Sequence, residues 1–204
     1  RADWGGGGES AGGGRMDRPV LLLPGRLTRW KGQAVCLAAL ALIKDRVWTA
    51  VFVGDDQGRS AYRAELAALI GELGLDGRVK LAGHCSDMPA ALALADLVLA
   101  PSLEAEAFGR VAAEASAMGK PVIASDLGGQ RETVIDGQTG WRTPPGDVAA
   151  LAAAIGAALD LGAAGRAEMG ARGARFVRER YSAKAMQTAT LAVYDRVLAA
   201  KVHP

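Results

Sequence analysis

Val20-Leu21-Leu22-Leu23-Pro24-Gly25-Arg26-Leu27-Thr28-Arg29-Trp30-Lys31-Gly32 is the stretch on which the fold turns. Four apolar residues run without a polar break and stop at Pro24-Gly25. The run is too short for a helix and apolar on both faces, so it reads as a buried parallel strand. A basic loop follows. From Gly32 to Lys44 the apolar positions Val35, Leu37, Ala38, Leu40, Ala41 and Ile43 fall at helical spacing. Strand, tight basic turn and helix together make the opening of a βαβ unit.

Downstream the same rhythm repeats. Trp48 to Val53 reads as a strand closed by Gly54-Asp55-Asp56. Ser60 to Leu73 reads as a helix, with Leu66, Leu69, Ile70 and Leu73 on one face and Gly74 as its cap. Val79 to Ala82 is a strand, Asp87 to Ala95 a helix capped by Asp87, and Leu97 to Ala100 a strand. Phe108 to Met118 is a helix ended by Gly119, and Pro121 to Ser125 a strand. Five strands alternating with helices predict an α/β fold with a doubly wound parallel sheet and right-handed crossovers. Ligands in such sheets bind beyond the carboxyl ends of the strands. The tail changes character: Asp147 to Leu161, Gly165 to Tyr181 and Ser182 to Ala200 read as three helices with no strand between them.

Upstream, residues 1–18 hold Gly5 to Gly8 and Gly12 to Gly14, a composition expected of a flexible linker or hinge. The chain opens with Arg1, so truncation is expected. The organisation predicted is a linker at 1–18, one α/β domain at 19–181 and a terminal helix at 182–204. With 204 residues, half of them hydrophobic, the chain is the size of one domain and carries enough apolar surface for a core. Lys plus Arg number 24 against 22 Asp plus Glu, a net charge of +2 that does not suggest bulk nucleic-acid binding. Cys36 and Cys85 form neither a disulfide framework nor a zinc cluster, and suit a reducing cytosol. No apolar run reaches the roughly 18 residues of a membrane span. With no cleavable signal visible at the start, a cytoplasmic location is expected.

Four loops at strand ends carry the chemistry. In the first, Arg26 and Lys31 bracket a turn that leads into a helix N-terminus. Cations beside free N–H groups suit a phosphate, and a solvated basic loop is the plain alternative. Asp55 and Asp56 in the second read as a turn with a cap rather than a metal site. Gly83-His84-Cys85 in the third suits backbone contact with a ligand better than metal or thiol chemistry. In the fourth, Glu106 precedes a helix whose first turn holds Phe108, Gly109, Arg110 and Val111, and Glu114 follows two turns on. Two carboxylates accept hydrogen bonds from a polyhydroxy ligand, and free amides at 108–111 would meet an anion between them. A capping acid and one solvated Glu is the alternative.

From Pro19 to about Leu198 the chain resembles the C-terminal half of a retaining GT-B glycosyltransferase of family 4. The residues that carry the resemblance are Gly25-Arg26, Lys31-Gly32, Pro101-Ser102, Glu106, Phe108-Gly109 and Glu114, then Gly119-Lys120-Pro121-Val122, Gly128-Gly129 through Glu132, Gly137 and Gly140. The spacing of Glu106 and Glu114 is the family hallmark. The resemblance implies a Rossmann-like donor-binding domain with a helical tail. It implies that Arg26 and Lys31 bind the donor diphosphate, Glu114 the ribose hydroxyls and Glu106 the donor sugar. Amides after Phe108, through Gly109, Arg110 and Val111, would hold sugar and phosphate, and Gly83, His84 and Cys85 would receive the base. Glu104 adds a second acid that competes for the sugar contact. The substrate implied is a UDP- or GDP-sugar, held without a metal or cofactor, in agreement with the lack of an Asp-X-Asp motif. No catalytic group is certain in this half. The partner implied is an N-terminal acceptor-binding domain, across to which the helix at 182–204 would pass, and the lone half would bind donor without turning it over. Pro101 to Arg110 is similar to envelope-polysaccharide transferases, which adds a peripheral association of the parent with the inner face of the membrane. Weak self-association of the half is expected through its last helix. A nucleotide-sensing regulatory module, and half of a related GT-B epimerase or phosphorylase, are the alternative readings.

Overall fold

A computed structural model describes residues 18–58 and 60–202, with side chains to residue 199. Residues 1–17 of the expected linker lie outside the described residues. Six parallel strands form one sheet: β1 (Val20–Pro24), β2 (Thr49–Val53), β3 (Val79–Gly83), β4 (Leu97–Ala100), β5 (Val122–Ser125) and β6 (Gly140–Thr143). Their spatial order is β3-β2-β1-β4-β5-β6. The order reverses between β1 and β4, so a crevice opens beyond their carboxyl ends. The doubly wound Rossmann-like sheet expected from the sequence is therefore present, with one strand more than the five read from it. β6 escapes the sequence pattern because it is a short edge strand. Trp141 and Arg142 at its centre are only half-buried, and it has no apolar run.

The helices are α1 (Gln33–Leu42), α2 (Ser60–Glu72), α3 (Met88–Leu94), α4 (Arg110–Ala117), α5 (Gln130–Thr133), α6 (Val148–Asp160), α7 (Gly162–Tyr181) and α8 (Ala183–Val202). The sheet is buried on both faces, which is why its strands read as continuous apolar runs. Alternation along β1 shows the division. Leu21 and Leu23 enter the core with Leu37, Trp48, Phe52, Leu66 and Ile155, under α1, α2 and α6. Leu22 points to the other face with Leu92, Val98, Ala112 and Val122, under α3 and α4. Asp87 and Asp147 accept the amides of Ala90 and Ala150 at 3.0 and 2.9 Å and so cap α3 and α6. The three tail helices are present; α7 packs on α4, and α8 touches the rest of the fold mainly through α7. Among the described residues no single helix is long and apolar enough to cross a membrane.

Candidate functional site: the crevice between the first and fourth strands

The loop after β1 is folded by its own backbone and by one buried amide. Arg29–Lys31 form a 3-10 turn that ends at Gly32, whose φ of 75° only glycine adopts without strain. A side chain at Gly32 would also run into the Pro101 carbonyl, so the loop after β1 lies directly on the loop after β4. The Leu103 N–H donates to the Trp30 carbonyl at 2.6 Å across the same contact. The Gln33 Nε2, fully buried, donates to the Arg26 carbonyl at 2.8 Å and fixes the loop from beneath.

The loop after β4 supplies the acids. Helix α4 begins at Arg110 rather than at Phe108 as the sequence pattern suggested. Gly109, at φ 73°, is its N-cap, and left-handed backbone there ends the helical run two residues short. The amides of Ala112 and Ala113 bond the Gly109 carbonyl, so the first helical amides, of Arg110 and Val111, are the ones that open toward the crevice.

Between the two loops lies a cleft of about 600 Å³. Arg26, Lys31, Glu106, Phe108, Gly109, Arg110, Val111 and Glu114 all line it. Eight of the eleven site residues named from the sequence thus meet in one place. Lys31 Nζ lies 2.9 Å from Glu106 Oε1, and both side chains are largely buried, about 13% and 14% exposed. Glu106 Oε1 also accepts the Ser102 hydroxyl at 2.5 Å and the Gln130 amide at 3.4 Å. Arg110 grips Glu114 one turn along α4 through Nη2 at 2.9 Å. This pair is exposed and therefore weak. Arg26 is exposed and reaches Gln57 at 3.4 Å. The loop after β1 brings the cations Arg26 and Lys31; the loop after β4, with α4, brings the helix amides and the carboxylates Glu106 and Glu114. That pairing suits a ligand with an anionic part and a hydroxylated part.

Three predicted residues stand apart. Gly83 ends β3 and His84 and Cys85 follow it, but none of the three lines the cleft; Met88 and Leu92 of α3 take the wall on that side. The reason is local: the Cys85 thiol turns back to the Asp87 carbonyl at 3.3 Å, and Asp87 starts α3. Glu104 is exposed and also outside the lining, so Glu106 is the acid that faces the cleft. Asp55 and Asp56 accept the amides of Gln57 and Gly58, each at 3.0 Å, as turn residues. Ser102 and Gln130 were not assigned roles from the sequence. Ser102 lies inside the Pro101-Ser102 signature and Gln130 directly after Gly128-Gly129, but only the fold shows that both reach Glu106.

The profile of the glycosyl transferases group 1 matches residues 18–160. The chain belongs to this family. Among curated glycosyltransferases of this kind, the phosphatidyl-myo-inositol mannosyltransferase of Mycobacterium leprae is 35% identical over 191 residues, 92% of this chain and 49% of that protein. The D-inositol 3-phosphate glycosyltransferase of Xylanimonas cellulosilytica is 38% identical over 78% of this chain and 38% of its own length. The chain thus spans less than half the length of either. Among solved structures, a glycosyltransferase of Rickettsia africae superposes with a TM-score of 0.84 at 30% identity, over 90% of this chain and 49% of that one. Anabaena HepE in complex with UDP and glucose gives 0.79 at 34% identity, over 87% of this chain and 48% of its own. The group 1 glycosyltransferase fold, with its Rossmann-like sheet of GT-B C-terminal type and helical tail, is the one the sequence resemblance implied.

Proposed function

We propose that this chain is the donor-binding half of a retaining glycosyltransferase that transfers a sugar from a nucleoside-diphosphate donor to an acceptor. The observation that carries the reading is the convergence of Arg26, Lys31, the α4 N-terminus, Glu106 and Glu114 on one cleft at the reversal of strand order. Arg26 and Lys31 hold the diphosphate, with the amides of Gly109 to Val111 beneath it. Glu114 accepts the ribose hydroxyls and Glu106 those of the sugar. As the bond between sugar and phosphate breaks, negative charge grows on the leaving diphosphate. Fixed cations and helix amides stabilise that charge without reorganising, and need no metal to do so. The similarity to a structure that holds UDP and glucose supports a nucleotide sugar as the ligand. An acceptor-binding domain N-terminal to this half completes the site, and α8 crosses to it, so the half alone holds donor without turnover.

The test is thermal unfolding in millimolar UDP, GDP or ADP, with and without EDTA. Ligand that binds only the folded state raises the melting temperature. One of the three is expected to do so, and equally in EDTA. No shift with any of them would overturn the reading, and a shift abolished by EDTA would overturn its metal-free part.

A further inference from the structure

Lys31 is asked to do two things. In this structure its ammonium sits on Glu106 Oε1 at 2.9 Å; with donor bound, the diphosphate draws the same ammonium. A carboxylate that is about 14% exposed cannot be left without donors cheaply. The other two donors to Glu106 cannot leave. Ser102 is 2% exposed and Gln130 1%. The Gln130 Nε2 is anchored at 3.1 Å to the Ala100 carbonyl at the end of β4, and its second hydrogen faces Glu106 at 3.4 Å. The reverse orientation of this amide would set its oxygen against two acceptors, so the partners fix which end is which. Its stem lies against Gly109, where any side chain would meet Gln130 Cγ at 2.9 Å. The Gly129 N–H donates to the Glu106 carbonyl at 2.8 Å, which fastens the same segment to the backbone. Gln130 Oε1 is itself buried without a partner. That is a cost an apolar side chain of the same size would avoid, and it points to a use for the donor end.

We infer that Gln130, together with Ser102, is a positioning residue for donor-sugar recognition: it holds Glu106 in place once Lys31 has turned to the diphosphate. All three donors converge on Oε1, which leaves Oε2 for a hydroxyl of the sugar. The inference rests on the donor-site reading above. It separates recognition of the sugar from recognition of the diphosphate, and assigns the sugar's share to residues that touch neither.

Calorimetric titration tests it. Wild-type protein is titrated with UDP and UDP-glucose, GDP and GDP-mannose, and ADP and ADP-glucose, and the pair that binds is carried to Gln130→Met, which keeps the volume, and to Ser102→Ala. Each variant is expected to weaken the sugar nucleotide about five- to tenfold more than the bare diphosphate, the scale of one ordinary hydrogen bond, since the lost bond acts through Glu106 and not on the sugar itself. General damage to the α4 N-terminus would weaken both ligands together. Equal losses for the two ligands, or no loss, in variants that melt like wild type overturns the inference and leaves the donor site standing. If Gln130→Met does not fold, Ser102→Ala decides alone. Wild type that binds no pair overturns the donor-site reading, and the inference with it.

Discussion

Gly109 marks the residue scale most sharply. Its φ of 73° lies in the left-handed region, and an added Cβ would press on Gln130 Cγ at 2.9 Å and on the Gln130 nitrogen at 3.2 Å. Left-handed backbone costs an L-residue roughly 1–2 kcal/mol before any clash. Gly109→Ala is therefore expected to lower stability by at least about that much in urea unfolding, and to misplace the amides of Arg110 and Val111. The cysteines offer a second test. Burial drives the Cys36 thiol far above its ordinary range, so it stays protonated and inert in the folded protein. Cys85 is half-buried at the edge of the loop after β3. One thiol per chain should react with a labelling reagent in the native state and two in denaturant. Bound nucleotide is expected to slow labelling of Cys85 if the base reaches Gly83-His84-Cys85; an unchanged rate would move the base to Met88 and Leu92. Arg26 and Lys31 stand out in the sequence because they adjoin Gly25 and Gly32 at a strand end, a local signal; Glu106 and Glu114 stand out through their spacing in the motif that carries the family resemblance. Gln130 and Ser102 do not, because a buried polar side chain declares its partner only when distant loops meet.

At the scale of elements, the strands of the interior and their helices followed from apolar periodicity. β6 did not, since its pairing with β5 is a tertiary contact made by a sequence without strand character. α8 was legible as a helix, and its apolar residues Met186, Val193, Tyr194, Val197 and Leu198 are all exposed. The ring of Phe176 meets Tyr181 at 6.0 Å at the root of the helix, but this contact does not fold α8 back onto its domain. Exposed apolar surface of this extent seeks cover. In the account above that cover is the acceptor-binding domain. The chain alone is expected to self-associate weakly in sedimentation velocity, and removal of residues 183–204 should abolish this. Monomers at high concentration in both forms would contradict it. Tyr181 also ties the tail to the site. Its hydroxyl donates to the Glu132 carbonyl at 2.9 Å, and its ring meets Phe108 edge-on at 5.3 Å.

At the scale of the whole molecule, the site is a product of strand order. Arg26 and Glu106 are 80 residues apart in the chain and meet because β1 and β4 are neighbours, on the two sides of the reversal. Alternating strands and helices predict that such a crevice exists; they do not say which two loops flank it, since strand order is set by packing across the sheet. The family resemblance named the same residues by their motifs, and the topology gives the physical reason that they act together. Calorimetric titration of wild type and Glu114→Ala with UDP, GDP and ADP tests the central claim most directly. At least one diphosphate is expected to bind wild type with a Kd in the micromolar-to-millimolar range, about −8 to −4 kcal/mol. Glu114→Ala is expected to lose about 1.5–3 kcal/mol of that, as for a hydrogen bond to a charged group. No heat from any nucleotide at millimolar concentration, or a Glu114→Ala protein that binds as wild type does, would contradict the account.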